Sequence, residues 1–160
     1  KGSCLTTRRH SPDVALGSQP DSGGMFKTGG ALIDAESAFT RARRGARLRR
    51  LRRARVQLPV YTHVRPTPAT GGVREIALDE IRGTLEPSRA RQFDGCFAPM
   101  GGSARRRWER VWIAEEKGVL LPPISVVPVR DGYAVRDGHH RVSVARARGA
   151  VAIDASVGAY

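Results

Sequence analysis

Residues 121–157 read LPPISVVPVRDGYAVRDGHHRVSVARARGAVAIDASV, and their punctuation decides the fold class. Ile124–Val129 is a β-branched run that predicts a strand, and Pro128 within it points to an edge or a bulge. Asp131-Gly132 is a hairpin turn, and Tyr133–Arg136 is the returning strand. After the polar stretch Asp137-Gly138-His139-His140-Arg141, a helix is expected from Val142 to Arg148, with Gly149 as the residue that ends it. Val151–Val157 gives a last strand. Strand, turn, strand, polar loop, helix, glycine, strand is the order of an α+β domain with a small mixed β-sheet and packed helices.

Working upstream, the paired prolines Pro122-Pro123 and Gly118 close off a helix expected through about Lys117, for which Ser103 is a candidate N-cap. Within it Trp108, Val111 and Trp112 fall three and four apart, on one face. Residues 83–102 are rich in glycine and proline and read as loop, while Val73–Ile81 reads as a strand running into a short turn or helix. The domain is thus expected over 73–160. Residues 59–72 (PVYTHVRPTPATGG) have the composition of a linker. Ahead of it, 31–58 form a basic helical segment. Leu32, Ala35, Phe39, Ala42 and Ala46 make one stripe, Leu48 and Leu51 start a shifted one, and Gly45 marks the join and weakens the helix there. Residues 1–30, with little apolar periodicity, are expected to be a disordered N-terminus.

A chain of 160 residues has room for one domain and its tails. It lacks an apolar run long enough for a membrane-spanning helix, and its first residues do not form a secretory signal. Cys4 and Cys96 sit in unlike contexts that set out neither a disulfide framework nor a zinc site, and Cys96 reads as a half-buried thiol. A soluble, cytoplasmic protein is expected. The net charge of +13 is concentrated: nine arginines and no acidic residue lie between Arg41 and Arg55.

The DGHHR segment carries the chemistry. A helix N-terminus offers unpaired N–H groups and partial positive charge, so it suits a phosphate. Gly138 would let the backbone approach such a ligand. His139, His140 and Arg141 would add donors, and Ser143 completes the set of phosphate contacts. Asp137 would cap the helix, orient a histidine, or face a metal or substrate hydroxyl. A capped helix start with no ligand is the alternative, but five consecutive polar or glycine residues between two apolar elements exceed what a turn needs. A metal site on His139 and His140 lacks a third ligand motif, and no metal is assigned.

These residues resemble the nucleotide-binding core of the ParB/sulfiredoxin superfamily, from about Val73 to Val157. REIALDEI is similar to that family's opening strand, and RWERV before the paired prolines is similar to a ParB-like branch of bacterial proteins. Sulfiredoxins carry GGCHR at this loop. His139 stands where their catalytic cysteine would be, so sulfiredoxin activity is not expected. Chromosome-partitioning ParB proteins carry GERR and bind CTP there; Gly138 and Arg141 match. No helix-turn-helix follows before Tyr160, so a sliding DNA clamp is not expected either. The free serine kinase of the superfamily carries DGHTR, and Asp137, Gly138, His139 and Arg141 match it. That resemblance implies a nucleoside di- or triphosphate (CTP, ATP or ADP) with Mg²⁺, held for a switch, an NTPase or a phosphotransferase. Asp137 would then be catalytic, together with a glutamate for which Glu86 is the candidate; Asp94 is the other carboxylate considered.

The basic segment gives a second functional class. Arg43, Arg44, Arg47, Arg50 and Arg53 are candidate contacts to DNA through its phosphates, on a helix that projects or that folds against the anion. The apolar side of the helix is mostly alanine, which does not suit a membrane partner. Arg105-Arg106-Arg107, and Arg89 with Arg91, are either solvated charges or further phosphate contacts. Trp108 and Trp112 are expected in the core.

Overall fold

The computed structural model describes residues 30–52, 57–62, 64 and 72–158. The N-terminal stretch, Arg53 and most of the threonine- and proline-rich segment lie outside these. Among the described residues the architecture is α+β, with a mixed five-stranded sheet and four α-helices. In chain order the elements are α1 (Ala31–Leu51), β1 (Val73–Ala77), β2 (Ile81–Thr84), α2 (Pro87–Ala90) and α3 (Arg105–Glu116). They continue with β3 (Ile124–Val129), β4 (Gly132–Asp137), α4 (His139–Ala147) and β5 (Ala152–Val157).

The sheet order is β1-β5-β3-β4-β2. The Asp131-Gly132 turn makes β3 and β4 an antiparallel pair, with Val129 opposite Gly132. The α4 crossover then returns the chain parallel to β3 as β5, and β1 closes one edge antiparallel to β5. Pro128 does not mark an edge strand, because β3 lies inside the sheet. The β3–β5 register covers only Ile124 to Val126, so the part of β3 that carries Pro128 outruns its neighbour and loses no partner there. A register shift does occur in β3, at Ser125/Val126.

Two segments depart from the expected loops. Ile81–Thr84 forms β2, parallel to β4, in a region that reads as turn and loop. Beside it, Pro59–Tyr61 is not a free linker. Tyr61 N–H donates to Thr84 O at 2.9 Å, and Thr84 N–H donates to Pro59 O at 2.9 Å. Gly83 makes this approach possible, since a Cβ there would collide with the Pro59 carbonyl.

The core lies between the sheet and α3, α4 and α1. Trp108 and Trp112 stack at 5.3 Å between centroids, and Phe39 of α1 meets Trp108 edge-on at 5.6 Å. Full burial of Phe39 contributes about 1.5–3 kcal/mol. Ala35, Ala38 and Ala46 are buried with it, so α1 lies against the domain along the expected stripe rather than projecting. Leu32, at the start of that stripe, stays exposed. Gly45 does not interrupt the helix. Among the described residues no helix is long and apolar enough to cross a membrane.

Candidate functional site

At the end of β4 the chain turns at Gly138, with φ +100°, and enters α4 directly. The helix starts three residues earlier than its apolar pattern suggests, so His139, His140 and Arg141 form its first turn. Their N–H groups precede the first i→i−4 bond, in which Val142 N–H donates to Gly138 O at 3.0 Å. Gly138 is required, but for packing. A Cβ there would stand 2.5 Å from Ile124 Cγ2 and 2.9 Å from Ile124 Cβ.

In front of this turn lies a cavity of about 310 Å³. Asp137, Gly138, His139, His140 and Arg141 form one wall, Arg107 and Val111 of α3 a second, and Arg89 of α2 with Leu121 and Pro122 the rest. Arg89 and Arg107 are thereby selected from the arginines that the sequence left ambiguous. Arg89 is half-buried and donates to Gln92 Oε1 at 3.1 Å. Arg107 is exposed and has no hydrogen-bond or ion-pair partner among the described residues.

Both histidines are neutral near pH 7. Burial pushes His139 down to about 4, helped by the positive charge of Arg89. Burial also brings His140 to about 4, followed by the charges of Arg107 and Arg89. His139 Nε2 lies 2.6 Å from the buried Thr84 hydroxyl, which also accepts the Glu86 N–H at 2.8 Å. Phe93 lies edge-on to His140 at 5.2 Å and stacks on His139 at 6.4 Å. His140 is 7% exposed, and its Nδ1 has no partner among the described residues.

Several expected site residues have other work. The Arg141 guanidinium is already committed: NH1 donates to the carbonyls of Pro122 and Pro123, and NH2 pairs with Asp137 Oδ2 at 2.8 Å. It braces α4 against the start of β3. Asp137 does not cap the helix; its largely exposed side chain serves Arg141. Ser143 is buried and accepts the Trp108 Nε1–H at 2.9 Å, so its hydroxyl faces α3 and not the cavity. Glu86 is exposed at the start of α2 and is not part of the cavity wall. Arg43, Arg44, Arg47 and Arg50 lie on α1, also outside that wall, and Arg53 falls outside the described residues. Asp94 is a structural carboxylate: Oδ1 accepts the N–H groups of Cys96 and Ala98, and Oδ2 takes Arg49 at 2.8 Å. Cys96 is disulfide-bonded rather than a thiol. No group of three or more metal-ligating side chains occurs among the described residues. The Thr84 hydroxyl on His139 had no signal in the sequence, because it reaches the site through β2.

No protein-family model matches the chain, and no curated protein matches it. Among solved structures, a sulfiredoxin from Arabidopsis thaliana is similar at 22% identity and a TM-score of 0.40, over 54% of this chain and 84% of that one.

Proposed function

We propose that the cavity at the start of α4 binds the phosphate end of a nucleoside di- or triphosphate. The observation that carries this reading is the pairing of Arg107, which has no hydrogen-bond or ion-pair partner among the described residues, with the N–H groups of the first helical turn across one cavity. Arg89 adds a second positive charge, and the neutral histidines can donate to phosphate oxygens without first losing an internal ion pair. A volume near 310 Å³ is at the low end for ligand pockets and suits the phosphates better than a whole nucleotide. Among the residues of the wall, Asp137 is the one carboxylate. A Mg²⁺ ion would therefore be held chiefly by the phosphates, with Asp137 as a single protein ligand.

The reading is of a binding domain, with the ParB/sulfiredoxin resemblance of the DGHHR segment in support. The glutamate that the free serine kinase resemblance implies beside Asp137 is not found in the cavity wall, since Glu86 lies outside it. The test is calorimetric titration with CTP, ATP, ADP and GTP, each with and without Mg²⁺, on the chain and on Arg107→Ala. Micromolar binding of one nucleotide, weakened at least tenfold by Arg107→Ala, is expected. Failure of all four to bind, or equal binding by the variant, would overturn the reading. Arg107 is a better probe than Arg141, whose removal also unties α4 from Pro122 and Pro123.

A further inference from the structure

The second strongly charged feature lies on one flank and the outer face of α1, beside the side that carries its buried alanines. Ala35, Ala42 and Ala46 define the packed direction of the helix. At 100° per residue Arg50, Arg43, Arg47 and Arg44 follow one another round a single flank and the outer face. All four are exposed, and none has a hydrogen-bond or ion-pair partner among the described residues. Arg49, which faces inward, is by contrast neutralised by Asp94. The acidic residues of α1 are Asp34 and Glu36, near its N-terminal end, and Glu36 pairs with Arg105 of α3 at 3.1 Å. The four arginines therefore stand three and four residues apart as like charges that repel one another, with no acidic partner among the described residues.

We propose that this stripe docks a nucleic-acid duplex through its phosphates. Arg43 to Arg50 spans about 10 Å of helix axis, over which one duplex strand offers about three phosphates. The helix is held on the domain by Phe39 and the buried alanines, so the stripe is pre-formed rather than ordered by its partner. Aromatic side chains are absent from 40–52, which leaves no platform for unstacked bases and favours a duplex over a single strand. A membrane fits less well. The continuous apolar side of α1 is spent on α3, and the exposed apolar residues of the helix are divided between its two ends, Leu32 and Ile33 at the start and Leu48 and Leu51 beside the stripe, so they form no single face. Contacts limited to phosphates predict binding that tolerates any sequence and weakens steeply with salt. The inference is independent of the cavity at α4.

The test is fluorescence anisotropy with random-sequence DNA and RNA duplexes of about 20 base pairs, from about 50 to 200 mM salt. The proteins are the full chain, the four single Arg→Gln variants at 43, 44, 47 and 50, and their combination. Glutamine keeps helix propensity, and circular dichroism checks folding. Each single variant should flatten the slope of log K against log salt by up to about 0.9, and the combination by about 3. Preference for the DNA or the RNA duplex would identify the partner within the class. The proposal is overturned if the variants bind as the parent does, if they lose no more than Arg106→Gln or Arg110→Gln on α3, or if anionic phospholipid vesicles are bound while duplexes are not.

Discussion

Gly138→Ala separates two roles for the glycine at the start of α4. If it exists for close approach of a ligand, alanine should leave the fold intact and abolish binding. The geometry says otherwise. An alanine at φ +100° costs about 1–2 kcal/mol in backbone strain. Its Cβ, 2.5 Å from Ile124 Cγ2 and 3.1 Å from the Arg141 guanidinium, adds an overpacking cost of about 1–3 kcal/mol. The expected total is about 2–5 kcal/mol, which at a typical urea slope of about 2 kcal/mol/M moves the unfolding midpoint down by about 1–2.5 M. Ile124→Ala removes both γ carbons and should itself cost about 2–5 kcal/mol. In the double variant the clash with Cγ2 is gone, so the losses should fall short of their sum by about 1–2 kcal/mol. Urea unfolding followed by circular dichroism measures all four corners of the cycle. A Gly138→Ala protein that unfolds with the parent, or a strictly additive double variant, would refute the packing account.

Ser143→Ala should cost about 1–3 kcal/mol by leaving the Trp108 indole N–H buried without an acceptor, and should not change nucleotide affinity. A loss of affinity at unchanged stability would return Ser143 to the cavity. Stability should also depend on acid. His139 and His140 hold about 4 in the folded protein against 6.5 for a free histidine, so between these values the unfolded chain binds more protons. Stability is therefore full above pH 6.5 and falls as pH drops towards 4; urea midpoints that stay level between pH 7 and pH 5 would contradict this. Arg141→Ala should destabilise by about 1–3 kcal/mol, since it strands the Pro122 and Pro123 carbonyls and the Asp137 partner. A nucleotide affinity for Arg141→Ala that falls while its melting temperature holds would show instead that its fork serves the ligand.

The β3–β4–α4–β5 unit was legible because each of its decisions is local: a β-branched run, an Asp-Gly turn, and Gly149 at φ +76° just past the helix end. β2 was not legible. Ile81-Arg82-Gly83-Thr84 has little strand character of its own and is ordered by β4 on one side and Pro59–Tyr61 on the other. The helix start was misplaced for a similar reason, since His139-His140-Arg141 show no apolar period and are helical because Gly138 turns the chain into them. At the site, the sequence located Gly138, His139 and His140 correctly at a helix N-terminus. It could not tell that Arg141 and Ser143 would be spent on Pro122, Pro123 and Trp108, which are distant in the chain. Nor could it choose Arg89 and Arg107 over their neighbours, a choice made by the packing of α2 and α3. Phe97 is a further case: it takes φ +59°, a conformation its side chain disfavours, in a loop that Asp94 organises.

The Arg49–Asp94 pair has a practical consequence for dissecting this protein. Asp94 is 2% exposed, and the loop it ties carries Phe93 and Phe97, the rings against His139 and His140. Cutting the chain at Val73 would strip that carboxylate of its cation and uncover Trp108 where Phe39 had been. A truncated protein that lost both polyanion and nucleotide would thus report a damaged fold rather than two vanished sites. The smallest piece worth expressing begins ahead of Ala31, and the arginine flank is better silenced by exchanging charges than by removing the helix.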